Sequence, residues 1–135
     1  MADARPICAR LFVIDANGPR LLAARCPECR QLHFPAQTTC PYCGTEGCTE
    51  TRIGPMGQLY LYTAVQTSPP GYRGPIPYGF GVVELEGGLR VITRLTEARL
   101  DRLRPGQPMR LVIEPLFTDE AGCPVLSYAF QPEET

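Results

Sequence analysis

The sequence has no lysine and no tryptophan, a single histidine (His33), and no apolar run near the length of a membrane span. A bilayer-crossing helix needs about 20 apolar residues in a row, so none is expected here. All 13 basic residues are arginine, so any anion site must rely on guanidinium forks or backbone N–H groups. The net charge of −1 is unlike that of a protein that coats nucleic acid, which carries a basic excess. With one histidine, a Ser/His/Asp or Cys/His catalytic set would have to use His33, which lies between two cysteine pairs. Neither a GxGxxG turn nor a P-loop occurs. Met1-Ala2-Asp3-Ala4-Arg5-Pro6 has none of the apolar core of a secretory signal, and the expected location is the cytoplasm.

Apolar residues make up 44% of the 135, enough for one ordinary domain with a small module attached. The seven cysteines are an odd number, and four form two CxxC pairs. Without a secretory signal, that pattern favours metal binding over disulfides. Cys26-Pro27-Glu28-Cys29 and Cys40-Pro41-Tyr42-Cys43 stand ten residues apart. A CxxC turn supplies two thiolates from one knuckle, and two knuckles complete the tetrahedral set that structural zinc prefers. Gly44, after the second pair, permits the positive φ that turns backbone N–H groups toward a sulfur. The predicted ligands are Cys26, Cys29, Cys40 and Cys43. His33 and Cys48 are the rival ligands, while Cys8 and Cys123 read as ordinary thiols.

Leu11–Ile14 and Leu21–Ala24 flank Asn17-Gly18 and predict a hairpin leading into the first knuckle. From Gly57 the pattern changes to period two. Leu59–Val65 is apolar on both faces, which predicts a strand covered on both sides. Further strands are expected at Phe80–Leu85, Leu89–Leu95, Met109–Glu114 and Val125–Phe130, with a tight turn at Glu86-Gly87-Gly88. Glu97–Leu103 predicts one or two helical turns before Pro105-Gly106. Five strands without alternating βα units suit a small closed barrel. The division expected is residues 1–50 for hairpin and ribbon and 51–135 for the barrel. Between Thr67 and Pro77 four prolines and two glycines exclude strand and helix, and so long a loop carrying Tyr72 and Ile76 points to function.

Arg20–Cys29, His33-Phe34-Pro35 and Cys40-Pro41-Tyr42-Cys43-Gly44 resemble the zinc ribbon of the acyl-CoA-associated zinc-ribbon/OB-fold family. The likeness continues through Gly57–Thr63, the Pro69-Pro70-Gly71-Tyr72 loop, Tyr78–Glu86, Leu89–Leu95, Leu103–Gln107 and Tyr128–Pro132, so it spans about residues 20–132. Many members begin with a longer helical segment, where this chain has a short hairpin. The resemblance implies a mostly β protein, a rubredoxin-like zinc ribbon followed by a five-stranded OB-fold. It implies a non-catalytic subunit that sits beside a thiolase-like enzyme and helps bind or enclose CoA or acyl-CoA. For that ligand the candidate contacts are Tyr72, Arg73 and Ile76 of the loop, with Arg94, Arg30 and Arg52. Two other classes compete: a single-stranded nucleic-acid module using Tyr60 and Tyr62 to stack bases, and a scaffold that touches no ligand.

Overall fold

In the computed structural model, which describes residues 4–133, a two-residue strand β1 (Arg5–Pro6) precedes the hairpin β2 (Phe12–Asp15) and β3 (Gly18–Arg25). Asp15 pairs with Gly18, so the loop is Ala16-Asn17. The Asn17 N–H donates to Asp15 Oδ1 at 2.8 Å, and Gly18 takes φ +102°, where an L side chain would be strained. β3 then carries β4 (Leu32–His33) and β5 (Thr49–Ile53) as antiparallel partners, forming a small sheet around the two knuckles.

The second sheet closes on itself. Its strands are β6 (Met56–Val65), β7 (Tyr78–Glu84), β8 (Arg90–Leu95), β9 (Pro108–Thr118) and β10 (Pro124–Pro132). β6 pairs with β7 and β7 with β8, both antiparallel, and β8 meets β10 in parallel. β10 returns antiparallel to β9, and β9 pairs with β6. This closed order, first-second-third-fifth-fourth, is the OB-fold barrel. β1 adds to the outside in parallel with β10, Arg5 opposite Val125.

One apolar cluster serves both sheets. Leu21, Ala23, Leu32 and Ile53 of the ribbon sheet pack with Leu59, Val83, Val91, Leu95, Leu111 and Phe130 of the barrel. At the seam the Phe34 ring stands edge-on to Tyr128 at 5.5 Å, and Glu86 Oε1 accepts the Gly54 N–H at 3.1 Å.

The one or two helical turns expected at Glu97–Leu103 are present as a single 3₁₀ turn, Leu100–Arg102, shortly before Pro105-Gly106. One expectation needs correction. β6 is not covered on both sides. Leu59 faces Val83 inside the barrel, but the register shifts at Tyr60 and Leu61 pairs with Val82 on the outside. A bulge leaves one residue out of the ladder and reverses the side-chain alternation beyond it.

Candidate metal centre and outer barrel face

The sulfurs of Cys26, Cys29, Cys40 and Cys43 all lie within 4.8 Å of one another. Cys26 and Cys43 are 3.5 Å apart and Cys29 and Cys40 3.7 Å, against an edge of about 3.8 Å for a tetrahedron with Zn–S bonds of 2.3 Å. The knuckles aim backbone donors at these sulfurs: Glu28 and Cys29 N–H to Cys26, and Tyr42 N–H to Cys40, each at 3.4 Å. Burial alone would push the Cys26 thiol up. The N–H groups of Cys29 and Glu28 and the neighbouring thiols outweigh it and draw the group down to about 6. After the second pair Gly44 sits at φ +79°, and after the first Arg30 occupies the equivalent place at φ +64°. Both donate their N–H back to the first cysteine of their knuckle, Cys40 and Cys26. Four preformed sulfurs with N–H donors behind them fit a structural tetrathiolate ion.

Beside this set, His33 is 2% exposed. Its Nε2 lies 3.1 Å from both the N–H nitrogen and the carbonyl oxygen of Gln37, while Nδ1 is buried without a partner. A ring nitrogen of His33 and the sulfurs of Cys40 and Cys48 are mutually within 4.8 Å. Burial and the nearby Cys26 and Cys40 push the Cys48 thiol up, so it stays protonated without a cation.

Closure of the barrel sets a second feature on its outer surface. Leu61, Val82 and Ile92 lie in cross-strand register on β6, β7 and β8. Leu61 is 58% and Ile92 64% exposed. The next rung is Thr63, Phe80 and Arg94. On one flank Arg90 pairs with Glu84 at 3.1 Å and covers the Tyr60 ring at 3.9 Å. On the other, Arg94 pairs with Glu114. Tyr78 extends the surface, edge-on to Phe80 and 4.7 Å from the Tyr72 ring. An apolar row framed by ion pairs has the composition of a contact surface with a polar rim.

The proposed contact residues divide between the two sheets. Tyr72 joins the outer face; its hydroxyl donates to Pro75 O at 2.8 Å, and burial pushes its phenol up, so it remains a donor. Arg73 lies over the Phe117 ring at 4.6 Å with its charge exposed, and Ile76 is exposed on the same loop. Arg94 is largely buried against Glu114. Arg30 and Arg52 belong to the ribbon: Arg30 follows the first knuckle, and Arg52, on β5, pairs with Asp15 at 3.4 Å. Sequence reasoning missed Leu61 and Ile92 as surface residues, with half-buried Val82 between them. The only trace was the unbroken apolar run of β6, which period two could not assign to one face.

A four-cysteine ribbon packed on a five-stranded OB barrel defines the class: a zinc-ribbon/OB-fold protein. Residues 17–47 match the family described as "ChsH2, rubredoxin-like zinc ribbon domain", and residues 50–114 match "ChsH2, C-terminal OB-fold domain". The chain is 30% identical over 114 residues to a "DUF35 domain-containing scaffold protein" of Pyrococcus furiosus, covering 84% of this chain and 83% of the relative. The chain belongs to this ChsH2/DUF35 family. It is also 29% identical over 117 residues to "Benzoylsuccinyl-CoA thiolase subunit BbsA" of Thauera aromatica, covering 87% of this chain and 79% of that one. A solved structure titled "Ltp2-ChsH2(DUF35) aldolase" superposes with a TM-score of 0.64 at 28% identity, covering 84% of each chain.

Proposed function

We propose that this protein is a non-catalytic subunit of a thiolase-type acyl-CoA complex, holding one structural zinc and docking its outer barrel face on the catalytic subunit. The observation that carries the reading is the outer row of exposed Leu61, half-buried Val82 and exposed Ile92, apolar side chains from three adjacent strands between two ion pairs. Such a row is costly to leave in water and complementary to an apolar patch on a partner. A thiolase-like enzyme is the partner because a relative matched over most of both chains is named a thiolase subunit, and a structural relative is titled as an aldolase containing a DUF35 component.

The same face reaches the loop, where Tyr72 and Arg73 would meet CoA or its acyl ester. Arg73 has an exposed charge and a π-face contact, and a guanidinium so placed suits a phosphate. In the metal centre the ion supplies no chemistry on substrate. Cys26, Cys29, Cys40 and Cys43 would hold it in place of a core that the ribbon is too small to build alone. Four thiolates call for a reducing compartment, and we read the protein as cytoplasmic.

Co-expression with a thiolase-like protein from the same cell should yield a hetero-oligomer with one zinc per chain of this subunit. Leu61→Asp with Ile92→Asp should abolish that complex and leave the isolated fold intact. A monodisperse protein that ignores the co-expressed enzyme would refute the docking reading. Arg73→Ala then separates ligand contact from pure scaffolding: contact predicts a raised KM for CoA in the assembled complex, and scaffolding an unchanged one.

A further inference from the structure

We propose that the ribbon holds a second thiophilic cation site, formed by His33 Nδ1, Cys48 Sγ and Cys40 Sγ, with Cys40 bridging to the tetrathiolate ion. Three observations meet there. A ring nitrogen of His33 and the two sulfurs already lie within 4.8 Å of one another. In a tetrahedral site with Zn–S of 2.3 Å and Zn–N of about 2.0 Å, neighbouring donors are about 3.5–3.8 Å apart, so closing on an ion draws them in by at most about 1.3 Å. The second observation is the buried Nδ1 of His33, which has no hydrogen-bond partner although the residue is 2% exposed. Nε2 lies 3.1 Å from both the N–H nitrogen and the carbonyl oxygen of Gln37, and a cation at Nδ1 selects the tautomer in which Nε2–H donates to that carbonyl, giving up the bond from the Gln37 N–H. A ligating histidine characteristically donates its other N–H to a backbone carbonyl in this way. The third is access: Cys48 lines a cleft of about 360 Å³ with Cys8, Pro35, Gln37 and Thr38, and water from it completes the fourth position.

Charge favours the arrangement. Four thiolates and one divalent ion carry a net −2. Adding the Cys48 thiolate and a second divalent ion, with neutral imidazole, brings the pair of sites to −1 and releases the Cys48 proton to water. In a half-buried setting the lower charge is the easier to hold. Soft sulfur with one imidazole selects a d¹⁰ ion such as zinc over magnesium or calcium.

The test is a Cd²⁺ titration of the zinc-loaded protein followed by native mass spectrometry. Wild type should take up a second ion, and Cys48→Ser and His33→Phe should each stop at one. Uptake of one ion by wild type overturns the proposal, as does a second ion that persists in Cys48→Ser. Should the variants fail to fold, iodoacetamide labelling of wild type decides. Cys48 should alkylate with one equivalent of metal bound and be protected with two; equal labelling in both states overturns the site.

Discussion

Ribbon and barrel share one apolar cluster, yet they are organised by opposite means. The barrel closes by hydrogen bonding around buried Leu59, Leu95, Leu111 and Phe130, each at most 1% exposed. The ribbon turns twice on CxxC knuckles, and residues 34–48 contain no strand beyond one isolated bridge, Thr39 to Glu46. Its order comes from four sulfurs and the N–H groups aimed at them, and only its sheet side reaches the common core through Leu21, Ala23, Leu32 and Ile53. Coordination concentrates stability in a few atoms, whereas burial spreads it over many. The two halves should therefore fail differently.

The largest effect should follow loss of the ion. Binding of structural zinc contributes on the order of 10 kcal/mol in small zinc modules. Stripping the metal, or Cys26→Ser, should expose backbone amides 26–48 to fast hydrogen exchange while β7, β8 and β10 stay protected. Equal loss of protection in both halves would show that they unfold as one unit. Acid should also release the ion, because protons compete with it for the thiolates.

The counterpart in the barrel is Phe130→Ala. Removing a fully buried phenyl ring costs about 3–5 kcal/mol. Thermal melting should record a large drop in Tm with zinc content unchanged, the reverse of the Cys26 outcome.

A smaller change compares the two knuckles. Gly44 adopts its positive φ without strain, but Arg30 holds φ +64° with a Cβ. Arg30→Gly should stabilise the ribbon by about 0.5–1 kcal/mol, the αL cost being partly offset by the greater freedom of unfolded glycine. Chemical denaturation would detect it, and a destabilised variant would mean that the arginine stem packs favourably on the ribbon.

The smallest effect concerns the turn that joins β9 to β10. N–H donation from Cys123, the Arg5 guanidinium at 3.0 Å and the Ala121 N–H hold the Asp119 carboxyl below its usual range. Its folded value is depressed, so its contribution is complete above the unfolded value of about 4 and fades as pH falls through the folded one. Asp119→Asn should be less stable than wild type at neutral pH and indistinguishable from it in strong acid, read from urea midpoints across that range.

Much of this architecture was legible because its signals are local. CxxC spacing marks a four-cysteine ribbon and Asn17-Gly18 marks a hairpin, while in β8 the run Val91-Ile92-Thr93 does not show which face is inside; burial there alternates, with Val91, Thr93 and Leu95 in and Ile92 out. What escaped depends on partners far along the chain. The reversal at Tyr60 exists only in register against β7, and the Arg94–Glu114 pair joins β8 to β9 across 20 residues. His33 was legible as a residue near the cysteines, but its burial beside Cys48 required β4 to pair with β3.

The extra residue at Tyr60 also sets the phase of the outer face. Deleting it would restore plain alternation with Leu59 still inward and Leu61 still outward, because those two already follow one another in the ladder against Val83 and Val82. Drawing Tyr60 into the ladder instead would turn Leu61 and Thr63 inward and Tyr62 outward. The surface this barrel offers is therefore a matter of phase as much as of composition, held by one residue standing out of step.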